Sequence, residues 1–246
     1  MDSGLYAACA ALMARTDALD TIANNLANSN TGGFRARHTT FGSVLAGHGQ
    51  TLNSTLNVDV NHFGILSASH LDMEPGALVP TGNPLDLGID GPGFLTVQTP
   101  NGVGYTRNGA LQVSAKGQLV TATGDLVLGA NGPISLPAGA NVTVSGDGTI
   151  SANGAIAGKL QLVDFSANAD PQSMGGANYT APANQVTPST TSQLRQGMLE
   201  GSNVNPVSSV VELIDAQRAA EGMRHALSMI DTEIDKTATQ DLPRIS

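Results

Sequence analysis

Leucines recur every seven residues at the start of the chain, at Leu5, Leu12, Leu19 and Leu26, with Ala8 and Ile22 three residues after Leu5 and Leu19. No Pro or Gly interrupts between Leu5 and Asn30, so this spacing predicts a helix from about Asp2 to Asn28. Asp2 or Ser3 can cap its start. Asn28-Ser29-Asn30-Thr31-Gly32-Gly33 supplies the left-handed conformations that end it. The other end of the chain repeats the pattern. Asn205-Pro206 reads as an N-cap followed by Pro at the first helical position. From Val207 to about Thr237, Leu213, Ala220, Leu227 and Ile234 are spaced by seven, with Ala216, Met223 and Ile230 three residues after the first three. Gly222 lies inside this helix at a cost of roughly 1 kcal/mol relative to Ala.

Between the helices the period changes. Short β-prone runs (Phe94–Gln98, Gly117–Thr121, Asp125–Leu128, Val142–Ser145, Lys159–Val163) alternate with turn signals at Asn101-Gly102, Asn108-Gly109, Gly124-Asp125, Asn131-Gly132, Asp147-Gly148 and Asn153-Gly154. This predicts an antiparallel β-domain of meander or barrel type. The expected fold is therefore α+β: long N- and C-terminal helices pairing as a coiled coil, with a central antiparallel β-domain joined by extended linkers. The boundaries read as 1–37 for the first helix and its exit turn, 38–80 for a linker, 81–167 for the β-domain, 168–204 for a return linker, and 205–246 for the last helix and tail.

An apolar stripe on one helix cannot bury itself. The helices can dock on their own domain, or pair with each other and with copies from other subunits. Pairing still leaves Val207, Val210, Val211, Ile214 and many Ala on other faces. That surplus points to a tube or bundle built from the helix pairs of many subunits. The predicted seam is Leu5, Leu12, Leu19, Ile22 and Leu26 on the first helix, and Leu213, Met223, Leu227, Ile230 and Ile234 on the last.

Composition narrows the function classes. Charged residues are 13%, against roughly 25% in ordinary domains. With 11 Lys+Arg, a net charge of -9 and only 3% aromatics, the chain lacks the footprint of a nucleic-acid binder. The single Cys9 excludes an internal disulfide and a multi-thiolate zinc site; it reads as a small apolar packer. No apolar run approaches the roughly 18 residues of a membrane span, and Met1-Asp2-Ser3-Gly4 has no basic region of a cleavable signal. Five His (38, 48, 62, 70, 225) show no metal-ligand spacing. His70, Asp72 and Glu74 read as a solvated loop, and Asp147-Gly148-Thr149 as a turn. No catalytic residue, cofactor or metal is expected; a β-domain hydrolase is the catalytic alternative.

Four stretches carry a resemblance. They are Ala23-Asn24-Asn25-Leu26-Ala27-Asn28 with Asn30-Thr31-Gly32-Gly33-Phe34; Thr81 to Leu95, containing Gly91, Gly93 and Phe94; Tyr105-Thr106-Arg107-Asn108-Gly109-Ala110-Leu111 with Gly117-Gln118-Leu119-Val120 and Gly124; and Gln196-Gly197-Met198-Leu199-Glu200-Gly201-Ser202-Asn203-Val204 with Glu212-Leu213-Ile214 and Gln217-Arg218-Ala219-Ala220-Glu221. In order and separation the chain resembles the bacterial flagellar basal-body rod and hook proteins over nearly its whole length. Its length and single small β-domain look like a rod protein, the proximal F-type subunit first and the distal G-type next; a hook-type protein or another flagellar axial or adaptor protein is the alternative.

The resemblance implies a homo-oligomer that works with other rod proteins and hook-side subunits. It implies passage through the flagellar type III export apparatus without a cleaved signal, and a hollow periplasmic rod whose inner tube is made of terminal helices. The motifs also have local readings. Asn24, Asn25 and Asn28 bridge neighbouring backbones or simply end the helix. Gly32 and Gly33 allow a sharp exit, and Phe34 anchors the linker. Arg107 and Glu200 read as solvated surface charges, with inter-domain polar contacts as the alternative. Asn203 caps or orients the last helix. Ala220 stands where relatives often carry an aromatic, which with Gly222 predicts a thin C-terminal seam.

Overall fold

A computed structural model describes residues 2–44, 64–166 and 168–236. Helix α1 (Asp2–Ala27) and helix α2 (Pro206–Lys236) stand at the two ends. Between them run β1 (Arg37–Val44), β2 (Gly64–Leu71), β3 (Leu78–Pro80), β4 (Leu87–Asp90), β5 (Phe94–Thr99), β6 (Gly102–Thr106) and β7 (Leu111–Val113). These are followed by β8 (Leu119–Thr121), β9 (Leu126–Gly129), β10 (Gly132–Pro133), β11 (Val142–Val144), β12 (Thr149–Ala152) and β13 (Ala155–Lys159). The last are β14 (Leu162–Phe165), β15 (Gln172–Gly175), β16 (Asn178–Thr180), β17 (Val186–Pro188), β18 (Gln193–Gln196) and β19 (Met198–Glu200).

The chain forms two compact units. A helical unit takes Met1–Leu26, Arg37–His70 and Pro206–Ser246; a β-unit takes Ala27–Ala36 and Leu71–Asn205. The ten residues Ala27–Ala36 at the end of α1 and just after it thus belong to the β-unit.

Strand β5 is the centre of the β-unit. It pairs with β6 along one edge and divides the other edge between β9 and β14. Phe94, Leu95, Thr96 and Val97 are all buried, the pattern of a strand covered on both faces. Leu95 and Val97 enter the larger core with Leu87, Ile89, Leu111, Leu119, Val127 and Leu160. Phe94 joins a second core with Leu71, Tyr105, Val163 and Tyr179. The separate sheet β11-β12-β13 contributes Val142, Val144, Ile150 and Ala152 to the larger core. The run expected as one strand over Lys159–Val163 is broken at Leu160-Gln161, because β13 pairs with β12 while β14 pairs with β5. The Asn153-Gly154 turn joins β12 to β13 with both φ angles positive, 51° and 83°, as a two-residue hairpin requires.

Two pairings close the β-unit across the chain. β4 pairs with β18 and β3 with β19, both antiparallel. The stretch expected as the 38–80 linker contains β1, β2 and β3, and the 168–204 stretch contains β15 to β19.

The expected coiled coil is corrected by the structure, which among the described residues holds two terminal α-helices and a large β-rich central region, α+β only in the loose sense. Coiled coils sink their a and d leucines into holes of a partner helix. Here the buried helical positions are mainly small or polar, namely Ala14, Ala18, Asn25, Ser209 and Ala220. Leu12, Leu19, Ile22 and Leu26 on α1, and Leu213, Met223 and Leu227 on α2, are half-buried. Leu5, Ile230 and Ile234 belong to these helices, but their side chains lie outside the described residues. On α2, Val207, Val210, Val211 and Ile214 are exposed.

Candidate functional site: a buried arginine–glutamate clamp

Glu200 ends β19, whose pairing with β3 carries it inside the β-unit; it is 1% exposed. Its carboxylate accepts from three sources. Arg35 Nη2 donates to Oε1 at 2.6 Å, Arg107 Nε donates to Oε2 at 2.8 Å, and the Gly76 N–H donates to Oε1 at 3.0 Å. Its backbone carbonyl accepts the Gly33 N–H at 2.8 Å. The rest of the Arg107 fork reaches β4 and the turn between β4 and β5: Nη1 donates to Gly93 O at 2.6 Å, and Nη2 donates to Gly91 O at 2.9 Å and Ile89 O at 3.2 Å. The guanidinium lies 5.3 Å from the Phe94 ring centroid, within cation–π range.

Each position has a local reason. Gly33 has φ +68°, and a Cβ there would sit 2.3 Å from the Arg107 carbonyl carbon, so only Gly lets the chain pass. The Arg35 N–H donates to the Tyr179 hydroxyl at 2.9 Å. Asn203 joins the same seam. Its Oδ1 accepts the Ala36 N–H at 2.7 Å, its Nδ2 donates to Asp72 O and Glu74 O, and its own N–H donates to Phe34 O. Phe34 packs with Ala36 and Val204. The chain leading in and the chain leading out therefore lie side by side, hydrogen-bonded through Gly33–Ala36 and Glu200–Asn203.

The electrostatics are demanding. Burial pushes the Arg107 pKa down; Glu200 opposes this and Arg35 reinforces it, while Asp164 adds a weaker attraction. Asp164 Oδ1 and the Nε and Nη1 atoms of Arg35 are buried with no hydrogen-bond partner among the described residues. A buried pair of this kind adds little net stability over an apolar replacement, but removing one member costs about 3–5 kcal/mol. It therefore specifies which segments meet. Arg107 and Glu200 are not the solvated charges expected from the sequence: both side chains are shut from water because each satisfies the other.

The structure gathers Gly33, Phe34, Gly91, Gly93, Phe94, Tyr105, Arg107, Glu200, Asn203 and Val204 into the clamp and the core beside it. The Gly197 carbonyl, at φ +75°, accepts the Thr81 N–H, and the Gly197 N–H donates to Asp86 O. Leu199 is half-buried, and the Ser202 hydroxyl accepts the Val204 N–H. Thr31 donates through its hydroxyl to Asn28 Oδ1. Asn25, in the helical unit, holds Arg37 from both sides, accepting its N–H at 2.9 Å and donating to its carbonyl at 2.8 Å. Asn24, Ala27, Gln217 and Arg218 are exposed on the helices, all outside the clamp. The sequence pattern does not single out Arg35 or Tyr179 as members of the site. The available signal is an arginine directly after Gly-Gly-Phe in a chain so poor in charge.

Among the described residues, no group of three or more His, Cys, Asp or Glu could hold a metal. His70 stands 6.0 Å from His38 ring to ring, and the Asp72 carboxylate accepts the Glu74 N–H. A surface cleft of about 290 Å³, with Thr96, Tyr105, Gln161, Val163 and Val186 in its lining, includes no carboxylate, imidazole or thiol among its described walls. No described helix is long and apolar enough to cross a membrane.

The comparisons with known proteins follow the same segments. Three family models match in chain order: "Flagella basal body rod protein" over residues 5–35, "Flagellar hook protein FlgE/F/G D1 domain" over 88–152, and "Flagellar basal body rod FlgEFG protein C-terminal" over 195–238. The flagellar basal-body rod protein FlgF of Caulobacter vibrioides is 35% identical over 252 residues, spanning 100% of both chains. That of Escherichia coli is 34% identical, covering 94% of this chain and 95% of its own. FlgG of Bacillus subtilis is 32% identical, covering 87% and 89%. With matches at both helices, at the β-unit and across the clamp, the chain belongs to the flagellar basal-body rod protein family.

Proposed function

We propose that this chain is a structural subunit of the flagellar basal-body rod, located in the basal body. It assembles with copies of itself, with other rod proteins and with hook-side subunits, through its terminal helices, into a hollow helical shaft. The shaft carries torque and leaves a channel for exported subunits. The chain reaches the periplasm through the flagellar type III export apparatus. The role is mechanical rather than catalytic. The F-type reading is favoured because relatives named FlgF are 34–35% identical over 94–100% of this chain, against 30–32% over 87–100% for those named FlgG.

The observation that carries the assembly reading is the exposed face of α2. Val207, Val210, Val211 and Ile214 follow helical spacing and lie open to solvent. A contiguous apolar face of this kind marks an interaction surface. The test is to label the β-unit and locate it in purified basal bodies, while following polymerisation of the purified chain. Label in the rod and a concentration-dependent helical stack are expected. Basal bodies without the label, or a fixed one-to-one complex with a single partner, overturn the reading.

A further inference from the structure

The clamp joins three stretches that are remote in the chain. Glu200 lies 165 residues beyond Arg35 and 93 beyond Arg107. Both guanidiniums are closed to solvent, with side-chain exposures of 1% and 2%, and Glu200 is the carboxylate that bonds them both. Burying an ion without its counter-ion is strongly unfavourable, and a second like charge beside it makes matters worse. Until Glu200 is in place, neither Arg35 nor Arg107 has the carboxylate that bonds it in the folded β-unit, and the main offset to leaving water is missing.

Backbone hydrogen bonds repeat the dependence. The Gly33 N–H needs Glu200 O, the Ala36 N–H needs the Asn203 side chain, the Gly76 N–H needs the Glu200 carboxylate, and the Gly201 N–H needs Ala77 O. Backbone groups of Gly33–Ala36 bond across the β-unit to Glu200, Tyr179, Asn203 and Asp72, all of them more than thirty residues further along the chain.

We infer that Gly33–Ala36, the residues around Asp72–Ala77 and the Gly197–Val204 segment dock as one cooperative unit, with Glu200 as the group that permits closure. A chain produced from its N-terminus thus holds its N-terminal segment undocked until the C-terminal segment arrives. The fold carries an order-of-closure device, a lock whose key is among the last residues made before α2. Closure of this kind belongs to folding and stands apart from the assembly role proposed above.

The experiment is hydrogen exchange on the full chain at a concentration where it is monomeric, read amide by amide. In pulse labelling during refolding, the amides of Gly33, Ala36, Gly76, Gly201 and Asn203 are expected to gain protection in one phase with a common rate. Protection of Gly33 and Ala36 in an earlier phase than Gly201 and Asn203 overturns the inference. At equilibrium, Glu200→Gln keeps the side-chain shape and removes the charge; it is expected to speed exchange at all five amides by about a hundredfold or more. Wild-type exchange at Gly33 and Ala36 in that variant also overturns it. The refolding measurement uses the wild-type chain and therefore decides the matter even if the variant does not fold.

Discussion

Arg107 Nε and Glu200 Oε2 meet 2.8 Å apart in the β-unit although 93 residues separate them in sequence. The pair draws its geometry from its surroundings. Arg107 also donates to the carbonyls of Ile89, Gly91 and Gly93, and Glu200 also accepts from Arg35 and Gly76. Neither side chain can move without breaking bonds to several segments, and this is how one ion pair holds the chain leading in, the turn before β5 and the chain leading out in a single arrangement.

Removing the carboxylate should be among the most damaging single changes in the β-unit. Glu200→Ala leaves two buried arginines uncompensated and is expected to lower stability by about 3–5 kcal/mol. Arg107→Lys keeps the charge but loses the planar fork that reaches three carbonyls, and should also destabilise, by less than Glu200→Ala. Urea unfolding of both variants checks this; wild-type stability in Glu200→Ala would remove the clamp from the account of the fold.

Two glycines with positive φ should respond differently to alanine. Gly33→Ala combines a left-handed backbone with a Cβ driven onto the Arg107 carbonyl, for an expected loss of about 2–5 kcal/mol. Gly124 has φ +89°, and a Cβ added there would meet nothing within 4 Å, so Gly124→Ala should cost only the backbone strain, about 1–2 kcal/mol. Thermal unfolding of the two variants side by side gives the comparison, and equal losses would contradict it.

The helix seams are tested by Leu19→Asp and Leu227→Asp. Both leucines are half-buried and belong to the helical unit. Each change is expected to leave the β-unit folded, with its exchange-protected core intact, while abolishing rod incorporation and swimming. Normal motility in cells carrying both substitutions would show that these positions are not assembly contacts.

Asp147 provides a pH test outside the clamp. Its carboxylate accepts the Thr149 hydroxyl at 2.8 Å and N–H at 3.2 Å, and pairs with Lys159 Nζ at 3.2 Å. These bonds, with the Thr149 hydroxyl first, hold its pKa below the ordinary value of 3.8. A depressed folded-state pKa contributes stability that is present above the unfolded value and lost as pH falls through the folded one. The turn before β12 should therefore loosen only below the usual aspartate range. Thr149→Val should raise the Asp147 midpoint in a carboxyl-carbon NMR titration; an unmoved midpoint would assign the shift elsewhere.

Much of the architecture is legible in the residues because it is local. The seven-residue spacing and the Asn-Gly stop around Asn28 to Gly33 mark α1, and Pro206 marks the start of α2, since helix period and capping act within a few residues. The Asn153-Gly154 turn is legible for the same reason. The break at Leu160-Gln161 is not, because it depends on two different partner strands. The coiled coil does not follow from the heptads, because spacing reports which residues share a face, not what covers that face.

From its own order of residues, then, this chain determined its two helices, its turn-rich middle and the motifs of its family, all short-range consequences of side-chain shape and backbone freedom. Tertiary structure alone decided that Arg35, Arg107 and Glu200 leave water together. A charge is buried only when its counter-ion and hydrogen-bond partners are delivered to the same place, and here that delivery requires β3 to pair with β19 and β4 with β18 across more than a hundred residues.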